Sequence, residues 1–307
     1  MIDLARRRVL AGTALASVLS QLPAFAQSPE RVATRPIPHG GERIPIVGIG
    51  TAVIFDYQND PARQAARAEV IRTLIAGGGK LIDTAAGYGS AEDRLGEIVA
   101  ALGVRDKLFL ATKFSHDVDR AAAAASMRAS LRRLKTDRVD LMQAWNVGDG
   151  AYRLDLPREW KQQGICRYVG ITTSQSRQYD AIAKVLVREK PDFFQVNYSL
   201  GAREAEKVLL PAARDAGAAV LVNLPFGRNS LFRQAGNRPL PEFAAEFGAK
   251  TWAQFFLKFI LSHPAVTAVV PGTDKPEYML DNLQAGRGAL PDAAMRKRIV
   301  QYWESLA

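Results

Sequence analysis

Cysteine is almost absent. Cys166 stands alone in 307 residues, so no internal disulfide can form and a cysteine-rich metal site is excluded. Histidine is scarce too: His39, His116 and His263 are too scattered for metal-ligand spacing, and no metal is expected. No stretch rich in Pro, Gly and Ser divides the chain, so one domain is the simpler organisation. Acidic residues fall short of basic ones, 31 against 41, and the formal charge of +10 raises nucleic acid or an anionic surface as a partner without choosing between them. What remains, 48% hydrophobic and 23% charged, is the composition of a globular protein and excludes disorder, collagen and disulfide scaffolds.

The N-terminal residues read differently from the rest. Arg6, Arg7 and Arg8 precede a mildly apolar run from Val9 to Leu22, which closes on Ala24, Phe25 and Ala26. That order reads as a secretory signal peptide over residues 1–26, cleaved after Ala26. The run of 14 residues is shorter than the about 20 that span a bilayer, so no stable membrane insertion is expected after cleavage. The paired arginines before Val9 and Leu10, with Gly12, Thr13, Ser17 and Ser20 keeping the run weakly hydrophobic, resemble a twin-arginine signal. An ordinary Sec signal or a disordered basic tail are the alternatives. The expected location is the periplasm, for a mature chain of 281 residues (27–307) whose charge falls to +8 as three arginines and Asp3 leave.

From Ile46 onward, short runs rich in Val, Ile and Leu alternate with segments of helical period. Strands are expected over Ile46–Ile49, Lys80–Thr84, Leu108–Thr112, Val139–Trp145, Tyr168–Thr172, Phe193–Tyr198, Ala219–Leu224 and Ala265–Pro271. Helices are expected over Pro61–Ala76, Ala91–Leu102, Arg120–Leu134, Tyr152–Gln163, Ser176–Arg188, Glu204–Ala216, Thr251–Ser262 and Pro276–Gln284. Strands such as KLFLATKF and AVTAVVPG lack polar alternation, as do parallel strands covered on both faces. Eight strand–helix units specify a single-domain α/β fold, the (β/α)8 or TIM barrel.

A doubly wound sheet needs a glycine-rich nucleotide turn after its first strand, and GIGTAV at Gly48–Val53 lacks the third glycine. AGGGKL is no phosphate loop, because Leu81 stands where Ser or Thr would hold magnesium; Gly77, Gly78 and Gly79 are better placed to end a helix. Outside the barrel remain a β-hairpin over Arg35–Ile46, an irregular excursion from Pro225 to Lys250 and a last helix over Pro291–Leu306.

In a barrel the strand C-termini and the loops after them form the active face. Asp83 ends the second strand, Tyr88 follows in DTAAGYGSAE, and Lys113 ends the third strand in LATKF. Singly, Asp83 could cap a helix, Tyr88 could pack and Lys113 could be solvated. Together on adjacent strand ends they suit proton donation: the ammonium is expected to lower the phenol pKa from about 10, and the carboxylate to neutralise the lysine.

Across essentially the whole mature length the chain resembles the aldo-keto reductase family. The motifs GIGTA, DTAAGYGSAE, ATKF, DLMQAWN, GIT and PGTDKPEYMLDNL fall in the family's order, the second and last being the most specific. The resemblance implies an oxidoreductase with NADP(H) or NAD(H) across the barrel mouth, hydride passing to a small-molecule carbonyl substrate, and a proton from Tyr88 tuned by Lys113 and Asp83. It departs at Trp145, where the family usually has His. An indole N–H donates a hydrogen bond but exchanges no proton near neutrality, and it is bulkier. Trp145 therefore narrows the pocket around a specific, flat substrate, or slows carbonyl reduction, or marks a nicotinamide-binding barrel that acts as sensor or interaction protein.

The resemblance also implies the cofactor positions. Gly50 and Thr51 belong to the first loop; Thr172, Thr173 and Gln195 would hold the carboxamide, Thr173 replacing the usual Asn. Asn223 stands where a stacking aromatic is expected, leaving Leu224 or Phe226 to cover the ring. Gly272, Thr273 and Lys275 would hold phosphate oxygens, with Asp281 and Asn282 near adenine. Gly272 and Tyr278 occupy the places of the family's 2′-phosphate readers, which leaves the choice of NADP or NAD open, and Lys275 supplies compensating charge. Arg128, Arg132, Arg133, Lys135 and Arg138 form a basic cluster read as a solvated outer face, since no aromatics interleave; a monomer that binds no nucleic acid is expected.

Overall fold

The computed structural model describes residues 31–148, 150–174 and 176–306; the expected export signal lies outside them. A two-stranded antiparallel hairpin, β1 (Thr34–Pro36) and β2 (Arg43–Pro45), precedes eight parallel strands in sequential order. These are β3 (Ile49–Gly50), β4 (Leu81–Asp83), β5 (Phe109–Phe114), β6 (Val139–Ala144), β7 (Cys166–Thr173), β8 (Phe193–Asn197), β9 (Ala219–Asn223) and β10 (Val266–Val269). Parallel bridges Val47–Val269 and Gly50–Gly272 join the first strand to the last, with Gly48 N–H donating to the Val269 carbonyl at 2.9 Å. The sheet thereby closes into the (β/α)8 barrel. Gly50 permits the closure: a Cβ there would lie 2.8 Å from the Val270 carbonyl oxygen.

Because each strand is buried on both faces, its two residue sets enter two cores. The inward set packs Leu81, Phe109, Ala111, Leu141, Tyr168, Phe193, Leu221 and Ala268 into the barrel, and Ile37 and Ile44 of the hairpin close its floor. The outward set, including Ile82, Leu110, Met142, Val169, Val196 and Val222, meets the helices. Toward the strand C-termini the inward positions turn polar, as Asp83, Lys113, Gln143 and Gln195. That change of chemistry along one barrel axis creates the site.

The barrel helices are α1 (Pro61–Ala76), α2 (Ala91–Leu102), α3 (Arg120–Arg133), α4 (Asp155–Gln162), α5 (Tyr179–Glu189) and α6 (Leu209–Asp215), then, after an inserted α7 (Ser230–Ala235), α8 (Trp252–Leu261) and α9 (Pro276–Gln284). α10 (Ala293–Glu304) ends the chain as expected. Side-chain caps fix several starts: Asp60 accepts from Ala62 and Arg63 N–H ahead of Pro61, and Asp292 from Met295 N–H. After α1, Gly78 takes φ +89°, the left-handed conformation that ends the helix.

Four expectations need correction: the first strand, expected over Ile46–Ile49, is Ile49–Gly50, and the helix expected over Ser176–Arg188 is a 3-10 turn, Ser176–Gln178, followed by α5. The single helix over Glu204–Ala216 is a 3-10 turn, Glu204–Glu206, followed by α6, because Pro211 lacks an N–H and its ring would strike the carbonyl four residues earlier. The excursion from Pro225 to Lys250 contains α7 and a 3-10 helix, Glu242–Phe247. These segments are too short to show a period, and α7 is held by packing, with Phe232 against Phe226 at 4.9 Å and Phe256 at 5.6 Å. Among the described residues no helix is long and apolar enough to cross a membrane.

The basic cluster is not one solvated face either. Arg133 turns inward, its Nε and Nη2 donating at 2.8 and 2.6 Å to Glu92, which is 1% exposed and also accepts from Thr112. The glutamate of DTAAGYGSAE thus ties α2 to α3 and β5. Arg133→Met leaves a buried carboxylate without its cation and should cost about 3 kcal/mol, read as a lower urea midpoint at unchanged m-value.

Candidate active site

Asp83 and Lys113 meet at the barrel mouth because β4 and β5 are neighbours in register, Asp83 opposite Ala111, and Lys113 lies two residues farther along on the same inward side. Lys113 Nζ stands 2.7 Å from Asp83 Oδ2 and donates to the Thr84 carbonyl at 2.8 Å. Both side chains are almost fully enclosed, Lys113 being 1% and Asp83 3% exposed. The other carboxylate oxygen, Oδ1, accepts from Gln195 Nε2 at 2.8 Å and Gln143 Nε2 at 3.3 Å. Asn223 Nδ2 donates in turn to Gln195 Oε1 at 3.4 Å. Five strands therefore contribute to one hydrogen-bonded array around a buried ion pair.

Tyr88 lies in the β4–α2 loop, half-buried, with the Lys113 ammonium 4.9 Å from its ring centroid. Asp56 secures this loop, accepting from both the N–H and the hydroxyl of Ser90 at 2.9 Å. Those hydrogen bonds hold the exposed Asp56 carboxyl below its usual pKa. The Trp145 ring stands perpendicular to Tyr88, centroids 5.7 Å apart.

The expected lowering of the Tyr88 pKa is corrected. Burial raises it and outweighs the opposing charge and hydrogen bond of Lys113; Asp83 raises it further, and Arg228 lowers it slightly. The phenol is thus held protonated. Burial acts to lower the Lys113 pKa, but the charges and hydrogen bonds of Asp83 and Tyr88 reverse this, so the ammonium persists above its ordinary range. A neutral O–H beside a permanent cation can donate a proton and have the resulting phenolate stabilised at once.

The expected cofactor positions fall into three groups. Thr51, Gln195 and Asn223 join the Asp83–Lys113 cluster, Thr51 through its hydroxyl and N–H, both donated to the Asp83 carbonyl at 3.1 and 2.9 Å. Thr172 pairs with Gln195 in register, and its Oγ1 accepts from Asn146 N–H at 2.8 Å, bracing the β6–α4 loop; Thr173 is fully buried. Leu224, with φ +49°, opens the loop after β9, and Phe226 packs on Phe232.

The third group follows β10. Gly50 bridges to Gly272, which is exposed, and a Cβ at Gly272 would make only ordinary contact, with Ile54 Cδ1 at 3.8 Å. Asn282 is buried and donates to Thr273 at 2.9 Å, while Lys275 lies 5.2 Å from the Tyr278 ring centroid. Asp281 faces α8, accepting from Thr251 at 2.8 Å and Gln254 at 2.6 Å. Its side chain thus clasps two helices.

Several residues here had no assigned role. Gln143 joins the Asp83 array; the signal was a polar residue at an inward position of DLMQAWN. Arg67 of α1, 8% exposed, donates to the Ile54 and Asp274 carbonyls at 2.8 and 2.5 Å, linking the loops after β3 and β10. No local pattern marks it. His116 packs on Tyr152 at 4.9 Å, and no metal-holding group of His, Cys, Asp and Glu occurs among the described residues.

The site chemistry fits a nicotinamide dinucleotide. Gln143 Oε1 and Asn223 Oδ1 are buried with no donor among the described residues, acceptors suited to an incoming carboxamide N–H. The first turn of α9 lacks a side-chain cap and sits beside Lys275, a place suited to phosphate oxygens.

Residues 46–302 match the family described as the Aldo/keto reductase family. The chain is 30% identical over 240 residues to Methylglyoxal reductase YeaE of Escherichia coli (strain K12), covering 75% of this chain and 81% of that protein. It is also 30% identical over 186 residues to Aldo-keto reductase YhdN of Bacillus subtilis (strain 168), covering 55% of this chain and 54%, about half, of that relative's length. Among solved structures, an aldo/keto reductase from Klebsiella pneumoniae in complex with NADP and acetate gives a TM-score of 0.71 at 24% identity, over 86% of this chain and 93% of that one.

Proposed function

The chain belongs to the aldo/keto reductase family, whose members are oxidoreductases, and from that premise we propose that it reduces an aldehyde or ketone at the expense of NADPH or NADH. The observation that carries this reading is the enclosed Lys113–Asp83 pair beside the protonated phenol of Tyr88. A bound nicotinamide would supply the hydride for the carbonyl carbon. Tyr88 gives its proton to the carbonyl oxygen, Lys113 stabilises the phenolate left behind, and Asp83 keeps Lys113 charged and aimed. Gln195, Thr172, Thr173 and Asn223 would hold the carboxamide, with Leu224 and Phe226 over the ring. Gly50, Thr51, Gly272, Thr273 and Lys275 would take the phosphates, and Tyr278, Asp281 and Asn282 the adenosine end. The NADP of the Klebsiella pneumoniae structure supports the cofactor assignment. Trp145, perpendicular to Tyr88, would line the substrate side of the site.

A fluorescence titration with NADPH and NADH, followed by turnover on a carbonyl panel, tests this. Binding of both forms with comparable affinity is expected, since Gly272 and Tyr278 supply no charged fork for a 2′-phosphate. Binding without turnover on any carbonyl leaves the second reading, a nicotinamide-binding sensor, which the exchange of His for Trp145 favours. No binding removes both.

The raised Tyr88 pKa sets a pH dependence. The donor form is present at low pH and is lost only as pH rises through the elevated value, so kcat/KM for reduction should stay level to beyond the ordinary phenol value of about 10. Alcohol oxidation, which needs the phenolate, should rise with pH. An alkaline limb near neutrality would show that another group donates the proton.

The N-terminal sequence supports export: a twin-arginine signal over residues 1–26, then a monomeric periplasmic barrel over residues 27–307 that leaves the cytoplasm folded. The single buried Cys166 suits a protein that needs no disulfide there. Without an exchangeable nicotinamide pool outside, the cofactor would have to travel bound.

A further inference from the structure

Gly87 precedes Tyr88 in the β4–α2 loop with an ordinary negative-φ backbone, so no turn geometry requires glycine there. What excludes a side chain is Trp145. A Cβ built at Gly87 would lie 2.1 Å from Cζ3 and 2.4 Å from Cη2 of the indole, yet 3.4 Å from Cε3. Two adjacent ring carbons close and the next one distant describe contact with the outer edge of the six-membered ring; above its face the three distances would be similar. The indole is therefore seated edge-on against residue 87, and both faces are clear of that backbone. Tyr88 makes the only ring contact of Trp145 among the described residues, at 90°. No ring among the described residues stacks flat on the indole, which stands beside Tyr88.

We propose that Gly87 sets the specificity of this site: by lacking a Cβ it seats Trp145 edge-on beside Tyr88, and the seated indole selects planar conjugated carbonyl compounds over puckered or branched aliphatic ones. The inference rests on the carbonyl-reductase reading above and names its substrate class. Gly87 is a positioning residue that acts through Trp145. A planar substrate gains the offset-stacked contact that aromatic pairs favour, with its carbonyl turned toward the Tyr88 hydroxyl. A puckered ring of the same carbon count presents hydrogens where the flat face should lie.

The test compares benzaldehyde with cyclohexanecarbaldehyde under NADPH in the wild type, Gly87→Ala, Trp145→His and Gly87→Ala/Trp145→His. The ratio of kcat/KM cancels intrinsic reactivity when read as a change between variants. Gly87→Ala should reduce the preference for benzaldehyde about tenfold, the upper end of what one aromatic pair contributes, chiefly through KM. Trp145→His should reduce it equally, and the double variant no further, because an imidazole does not reach the added methyl. Circular dichroism and NADPH affinity report whether each variant is folded.

An unchanged ratio in folded Gly87→Ala, or the same tenfold drop repeated in the Trp145→His background, would overturn the proposal. If the wild type reduces neither aldehyde, the carbonyl-reductase reading fails, and calorimetry still decides the pair. Benzamide should then bind wild type, with or without NADP+, about tenfold more tightly than cyclohexanecarboxamide, and Gly87→Ala should abolish the difference. Equal binding to wild type overturns the proposal.

Discussion

Tyr88→Phe is expected to lower kcat for carbonyl reduction by about 10²–10⁴-fold, the usual contribution of a positioned general acid, with the Kd for NADPH within about twofold of wild type. The change removes one oxygen and keeps the ring, so the perpendicular contact with Trp145 at 5.7 Å survives. Lys113 keeps its partners, Asp83 at 2.7 Å and the Thr84 carbonyl at 2.8 Å, and no buried charge is left alone. The residues that would hold the dinucleotide are separate from the phenol. Loss of rate with intact affinity and intact unfolding midpoint would place Tyr88 at the chemical step. Unchanged turnover would mean that the proton comes from elsewhere and that the family mechanism does not operate here.

Lys113→Met should damage both fold and chemistry. It strips the cation from a carboxylate that is 3% exposed, and breaking a buried pair from one side costs about 3–5 kcal/mol. Turnover should fall by at least the factor seen for Tyr88→Phe, because the developing phenolate loses its counter-charge. Asp83→Asn/Lys113→Met separates the two effects. An amide at position 83 still accepts from Gln195 and Gln143 and leaves no unpaired charge, so stability should largely return while activity does not. Recovery of both would show that the pair is scaffold alone.

The sign of the pH effect follows from the raised Lys113 pKa. The folded state holds this proton more tightly than the unfolded chain, so the contribution is fully present below the unfolded value of about 10.5 and lost as pH rises through the folded one. Equilibrium unfolding at pH 8 and at pH 11 should show the wild type weakening more than the Asp83→Asn/Lys113→Met double variant. An equal loss in both would place the alkaline sensitivity in other groups, such as the Cys166 thiol, which burial pushes up to about 12.

Much of the fold was legible because each strand–helix unit announces itself locally. Apolar runs without alternation mark strands covered on both faces, and segments of helical period mark the helices between them. Where the outcome depended on contacts instead of period, the reading failed: α7 is held by aromatic packing, and Pro211 broke a helix whose apolar pattern ran through it. Asp83, Tyr88 and Lys113 could be named because strand ends and adjacent strands follow from order alone, and Trp145 because the family resemblance implies His at its place. Gln143 left its signal, a polar residue at an inward strand position, whereas Arg67 and Gly87 left none, because their partners lie 207 and 58 residues away in sequence.

By itself the amino-acid sequence determined the eight-unit barrel and the residues at the strand ends, since these depend on periodicity and on order along the chain, and its motifs carried the family resemblance, which in turn implied the departure at Trp145. The tertiary structure decided the rest. It reversed the expected pKa shift of Tyr88, because desolvation depends on what surrounds the ring and here exceeds the attraction of Lys113. It turned Arg133 from a solvated cation into the partner of buried Glu92. It also tied Gly87 to Trp145, a match no local pattern could reveal because steric exclusion acts between surfaces that only folding brings together.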